Sequence, residues 1–230
     1  LGASWAILLP LLTMLILTLF FGRLAKMPSD GIPYAVFVLT GIVPWSFFAN
    51  AMGQAANSVV GSANLITKVY FPRLAVPVAA VLSGLVDLLL SFALLVILLV
   101  IYRVEPSWNV LFLPFFVLLA TMAALGTGLW LAALNVAYRD VRHIVPFLTQ
   151  IWMFATPIVY PASLIGSEPW RTLYGINPMV GVIAGFRWSL LGSGPPPGSA
   201  LLLSVLISTL LLVSGAFYFR RVEREFADII

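Results

Sequence analysis

Between Arg73 and Arg103 the chain runs for 29 residues with a single charge, Asp87. A stretch like that constrains the fold more than any other feature of the sequence. A bilayer's hydrocarbon core is about 30 Å thick and takes roughly 20 apolar residues in helix. Inside it every backbone N–H and C=O must be satisfied within the segment, which leaves helix as the form for a lone span. Taking residues 78–102 as one span, five others meet or approach the requirement. They are 3–22, kinked at Pro10; 34–58, softened by Pro44, Asn50 and Gln54; 110–136; 144–164, interrupted by Pro157 and Pro161; and 199–219, after the breaker GSGPPPG. Composition agrees: 9% of the 230 residues are charged and 62% are hydrophobic, against roughly 25% charged in soluble domains. Too little polar surface exists to cover a globule in water. The expected fold is an all-α membrane protein with six transmembrane helices, one domain over residues 1–230.

Residues 165–197 are too broken for an ordinary span and too apolar for a free loop. They predict short helices dipping into the outer interface, where such backbone is tolerated against protein or water. Within them, INPMVG places Asn177 as an N-cap and Pro178 at the first helical position, so a helix starts there.

Six spans leave both ends on one side. With the N-terminus inside, cytoplasmic segments hold Lys68, Arg73, Arg139, Arg142, Arg220, Arg221 and Arg224, and the outside holds Arg23, Lys26, Arg103, Arg171 and Arg187. Seven basic residues against five follow the positive-inside rule weakly. FRRVEREF, directly after the last span, is the clearest basic stop. Aromatic residues at span ends (Trp5, Trp45, Trp108, Trp152, Trp188, Tyr218) suit interfacial anchoring without choosing a side. The chain opens on an apolar run at Leu1, and a native amphipathic segment is expected upstream of it.

Several chemistries find no footing. A net charge of +4 from 12 basic and 8 acidic residues makes no nucleic-acid footprint. GSANLITK, residues 61–68, has the wrong order and no second glycine for a phosphate loop. The one histidine, His143, has no second histidine and no cysteine to build a metal site with. The acids are scattered over both sets of loops and do not converge, so neither a catalytic centre nor a metal site is expected in this chain. Asp87, the one acid inside a span, either sits near the headgroups bonded to a neighbouring helix or lines a polar path.

The loop after the second span reads as NSVVGSANLITKVYFPRLAVP, residues 57–77. Leu65, Ile66, Val69 and Tyr70 fall at near-helical spacing, Pro72 ends the turn, and Lys68 and Arg73 reach water or lipid phosphate. A short amphipathic helix along the inner surface fits. Its apolar residues exceed what a connector needs, which suggests a soluble partner; cations held only to keep topology are the plainer reading.

ALNVAYRDVRHIVPFLTQIWMFATPIVYP, residues 133–161, resembles the hallmark segment of type-2 ABC transporter permeases that export lipid-linked polysaccharide, O-antigen (lipopolysaccharide) and teichoic-acid exporters included. That family shows an Asn-Val-x-x-Arg-Asp turn, an apolar span and a Ser/Thr-Pro-x-x-Tyr close. Here these are Asn135, Val136, Arg139, Asp140, Thr156, Pro157 and Tyr160. ILLPLLTM (7–14), GIVPWSFFANA (41–51), LITKVYFPR (65–73) and YGINPMVGVIAGFRWSLLG (174–192) extend the likeness, in the expected order, over nearly the whole chain.

The resemblance implies a homodimer in the bacterial inner membrane, paired with two copies of a separate nucleotide-binding ATPase that binds ATP and Mg; no cofactor is expected in this chain. It implies that residues 61–73 form the coupling helix, packing through Leu65, Ile66, Val69 and Tyr70, with Lys68 and Arg73 at the groove's rim and Arg139 and Asp140 contributing. Asn177 and Pro178 would belong to a re-entrant pair closing the outer end. For a glycan cargo, Trp45, Phe47, Phe48, Trp152, Phe154 and Tyr160 offer aromatic faces to sugar rings, though such residues equally serve as core or lipid anchors. Arg73, Arg139 and Arg142 would suit a polyprenyl pyrophosphate at the inner entrance. The competing readings are a type-2 ABC exporter of drugs or small lipids, a polyprenyl-linked membrane transferase, and a secondary transporter. The transferase needs convergent acids, and the secondary transporter needs internal repeats and more intramembrane charge.

Overall fold

The computed structural model describes residues 2–68, 71–105, 107–138, 140–164, 168–192, 196–223 and 226. Among them, five helices are long and apolar enough to cross a membrane. The first is α1, Gly2–Leu17, which continues through wider π-helical turns over Thr18–Leu24. Next come α2, Tyr34–Gly61; a six-residue α3, Ala63–Lys68; and α4, Ala75–Ile101. A 3₁₀ segment, Trp108–Phe112, leads into α5, Leu113–Ala137. After α6, Val141–Phe154, two short helices follow, α7 (Glu168–Tyr174) and α8 (Pro178–Leu191), and α9, Ser199–Val222, is the last.

The fifth expected span, 144–164, is the one that differs. Here α6 has 14 residues, or about 21 Å at 1.5 Å per residue, short of the bilayer core. Pro157 supplies the reason. It lacks the N–H that would continue the ladder and disfavours helical backbone at Thr156 before it. The chain from Ala155 to Pro161 is irregular and largely buried.

Around α2 the bundle is organised: α1, α4, α5, α6 and α8 all pack on it. Because lipid is as apolar as leucine, helices in a membrane hold together by close van der Waals fit, which small residues permit. Ala51, Ala55 and Ala56 are fully buried on α2, and the Cα of Gly128 on α5 comes so near that a Cβ there would lie 2.6 Å from Cβ of Ala55. Where α5 crosses α9 the contact is backbone on backbone. A Cβ on Gly126 would stand 2.6 Å from the Leu212 nitrogen, and one on Gly215 2.6 Å from the Gly126 carbonyl oxygen.

Helix ends sort the molecule into two faces. Val59, Ala133, Val136, Phe219 and Phe226 form a separate apolar cluster that Phe71 and Leu74 pack against. This joins the ends of α2, α5 and α9 to the start of α4, at the face carrying α3. At the opposite face the Tyr34 hydroxyl donates to the Val159 carbonyl (2.7 Å), close to α7 and α8. The pair of short helices expected before the last span is present, and α8 is buried along nearly its whole length against α2, α5 and α9.

Candidate functional site

At the face carrying α3, Lys68 is exposed and Leu65 is half exposed. Arg73 turns inward, donating from Nη1 to the Glu223 carbonyl past the end of α9. With Phe71 and Leu74 in the apolar cluster, that bond pins the C-terminal side of the loop to the bundle and leaves α3 projecting. Val69, Tyr70 and Arg139 lie outside the described residues, as does the side chain of Ile66. Asp140 precedes α6 at the same face; its carboxylate is exposed and makes no capping bond.

The six aromatic residues named as a sugar path do not form one belt. Phe47 and Phe48 are buried in the core, and Phe154 is half exposed on the outside of α6. Trp45, Phe48 and Trp152 make one cluster, with Phe48 edge-on to Trp152 at 5.0 Å and Trp45 at 6.5 Å. Tyr160 pairs its hydroxyl with that of Tyr174, which donates onward to the Ala155 carbonyl (2.5 Å). Burial first, and Tyr160 second, push the Tyr174 phenol above its ordinary range, so it stays a neutral donor.

Asn177 ties together the end opposite α3. Its side-chain oxygen caps α8 by accepting from the Met179 N–H (3.1 Å) and also accepts from Trp152 Nε1 (2.9 Å). Its amide nitrogen donates to Thr156 Oγ1 (2.9 Å). One residue thus joins the end of α6, the irregular segment and the start of α8, with Pro178 at the first helical position as expected. Asn177→Ala should cost about 1–2 kcal/mol, from the lost cap and the unpaired indole N–H. Thermal unfolding of the purified protein checks it, and Asn177→Asp, which keeps the acceptor, should lose less.

Arg187 is not a free loop cation. The sequence places it among outer-loop cations, but it is 7% exposed inside α8. Nη1 donates to the Pro157 carbonyl and Nη2 to the Ile158 carbonyl, both at 2.7 Å, and the guanidinium lies 3.6 Å over the Phe37 ring. It thus receives two carbonyls of the irregular segment. Its position in the apolar run GFRWSLL is the one hint the sequence carries.

Only Val145 of α6 is buried, and clefts flank that helix on both sides. Between α5, α6 and α9 lies an apolar one of ≈ 450 Å³, lined by Met52, Trp130, Leu148, Ile151 and Trp152. Between α2, α4 and α6 lies a larger cleft of ≈ 850 Å³, lined by Trp45, Asn50, Gln54, Asn57, Thr149 and Gln150. Asp87 is half-buried on α4, seven residues beyond the cleft-lining Ala80 and so on the same helix stripe.

Residues 1–191 match the family model described as ABC-2 type transporter. The chain belongs to that membrane family. The O-antigen export system permease protein RfbA of Myxococcus xanthus is 33% identical over all of this chain and 88% of its own length. Its namesake in Klebsiella pneumoniae is 26% identical over all of this chain and 88% of its own. The polysialic acid transport protein KpsM of Escherichia coli is 24% identical over 97% of this chain and 86% of its own. As an ABC-2 transporter protein the chain is a multi-pass inner-membrane permease, and α2, α4 and α6 form the walls of a polar cleft in it. The cleft was visible in the sequence only as the softening of span two by Asn50 and Gln54; that α6 faces them is a tertiary fact.

Proposed function

We propose that this chain is the membrane subunit of an ATP-driven exporter carrying lipid-linked polysaccharide of the O-antigen type out across the inner membrane. The observation that carries the reading is the end-to-end likeness to permeases named for O-antigen export. In this reading two copies form the conduit and two copies of a separate ATPase chain bind ATP and Mg. The sequence's lack of a phosphate loop agrees with that division of labour.

The coupling element is α3 with the loop that follows. Lys68 and Leu65 stand free to enter a groove on the ATPase, while Arg73 and Phe71 hold the loop's other end to α4 and α9. A push on α3 then moves whole helices as near-rigid bodies rather than bending a slack loop. Asp140, at the head of the sparsely packed α6, offers a second point of contact.

Cells lacking this chain should lose surface polysaccharide and accumulate lipid-linked glycan inside; normal surface glycan would remove the polysaccharide reading. For coupling, Lys68→Glu with Leu65→Asp should lower capture of the ATPase in co-purification at least tenfold, while unfolding temperature stays unchanged because both side chains are outside the core. Undiminished capture would count against α3 as the docking element.

A further inference from the structure

Three amides in the cleft between α2, α4 and α6 have no assigned role. Asn50, Gln54 and Asn57 follow one another at spacings of four and three on α2, so they share a stripe. Gln150 and Thr149 line the cleft from α6. Asn57 is pinned, donating to the Gly53 carbonyl (2.9 Å) and accepting from Asn135 (3.2 Å). Thr149 is satisfied by the Val145 carbonyl (2.6 Å). Among the described residues, Asn50, Gln54 and Gln150 have no hydrogen-bond partner, and all three side chains are exposed to the cleft. Exposed amides inside an otherwise apolar span, as Asn50 and Gln54 are, demand something polar beside them, because hydrocarbon offers no compensation.

What that something is follows from the lining. None of the thirteen residues around the cleft carries a charge, so a phosphate or carboxylate would lose its hydration there without a counter-ion. An amide presents donor and acceptor together and so meets a sugar hydroxyl in either role. The lining runs along α2 from Trp45 to Ser58, thirteen steps or about 20 Å of helix, long enough for several sugar units.

Resting on the export reading above, we infer that this cleft is a binding track for the uncharged sugar portion of the glycan, with Asn50, Gln54 and Gln150 as its hydroxyl-contacting residues. The pyrophosphate end of a lipid-linked chain is handled elsewhere, and the track slides along hydroxyls because no single amide holds one tightly.

The test uses the permease assembled with its ATPase in cells exporting glycan. A photo-crosslinking residue is placed at position 50, 54 or 150, and at Phe217, which is exposed on the outside of α9, as a control. Sugar-bearing adducts at the three cleft positions and none at Phe217 are expected. Adducts only to a second copy of this chain, only to lipid, or with no sugar at any cleft position would overturn the assignment. Independently, Gln54→Leu with Gln150→Leu should lower surface glycan at least tenfold while ATPase capture is retained; undiminished export would also overturn it. If deleting the chain leaves surface glycan intact, the export reading itself fails. If deletion abolishes surface glycan while the cleft positions take up no sugar, the track alone fails.

Discussion

Arg187→Met should destabilise the protein by about 2–5 kcal/mol, chiefly because it leaves two buried carbonyls without a donor. Methionine fills similar space but donates nothing. The Pro157 and Ile158 carbonyls, each now receiving a 2.7 Å bond, would face a buried apolar surroundings unpaired, and each such loss costs about 1–3 kcal/mol. The stacking over Phe37 goes as well. Part of this is returned, because the mutant no longer buries a cation, and Nε of Arg187 already lacks an acceptor. Arg187→Lys separates charge from geometry: an ammonium keeps the charge but cannot fork across two carbonyls while lying flat on a ring. We expect it to fall between wild type and Arg187→Met in thermal unfolding and in the amount of folded protein. Equal unfolding temperatures for all three would show that the irregular segment does not depend on this clamp.

Gly126→Leu should be the second severe lesion, costing at least the roughly 1–3 kcal/mol typical of overpacking. Its Cβ would meet the nitrogen of Leu212 at 2.6 Å and the carbonyl carbon of Leu211 at 2.7 Å. Those atoms are α9 backbone and cannot rotate away, so the α5–α9 crossing must open. Even Gly126→Ala should destabilise here, reversing the gain of up to about 1 kcal/mol that alanine normally brings to a helix interior. Gly53 supplies the contrast. It lies within α2 with nothing inside 4 Å of its Cβ, and Gly53→Ala should be neutral or mildly stabilising. Thermal unfolding of the three variants in one detergent checks the pattern; a Gly126→Ala protein as stable as Gly53→Ala would refute the close crossing.

Most of the helix layout was legible because a bilayer converts apolar length into span. The runs beginning at 34, 78, 110 and 199 lie within a few residues of α2, α4, α5 and α9. Asn177 and Pro178 marked the start of α8 because a cap and a proline act within one turn of chain, where no tertiary information is needed. The run at 144–164 misled for the converse reason. Its average hydrophobicity is that of a span, but Pro157 stops the helix, and what tolerates the stop is a guanidinium 30 residues further on.

Sequence alone determined that this chain lives in lipid, that it is helical, and where most of its long helices begin and end, since these depend on composition and local backbone chemistry; the family came from the likeness of its motifs. Folding decided which polar residues meet. Arg187 left the group of outer-loop cations for the interior, Phe47 and Phe48 turned into core, and Asn50, Gln54 and Gln150 came together around one uncharged cleft. Helix packing settles such pairings through contacts between residues a hundred positions apart, and no period or spacing along a single chain encodes them.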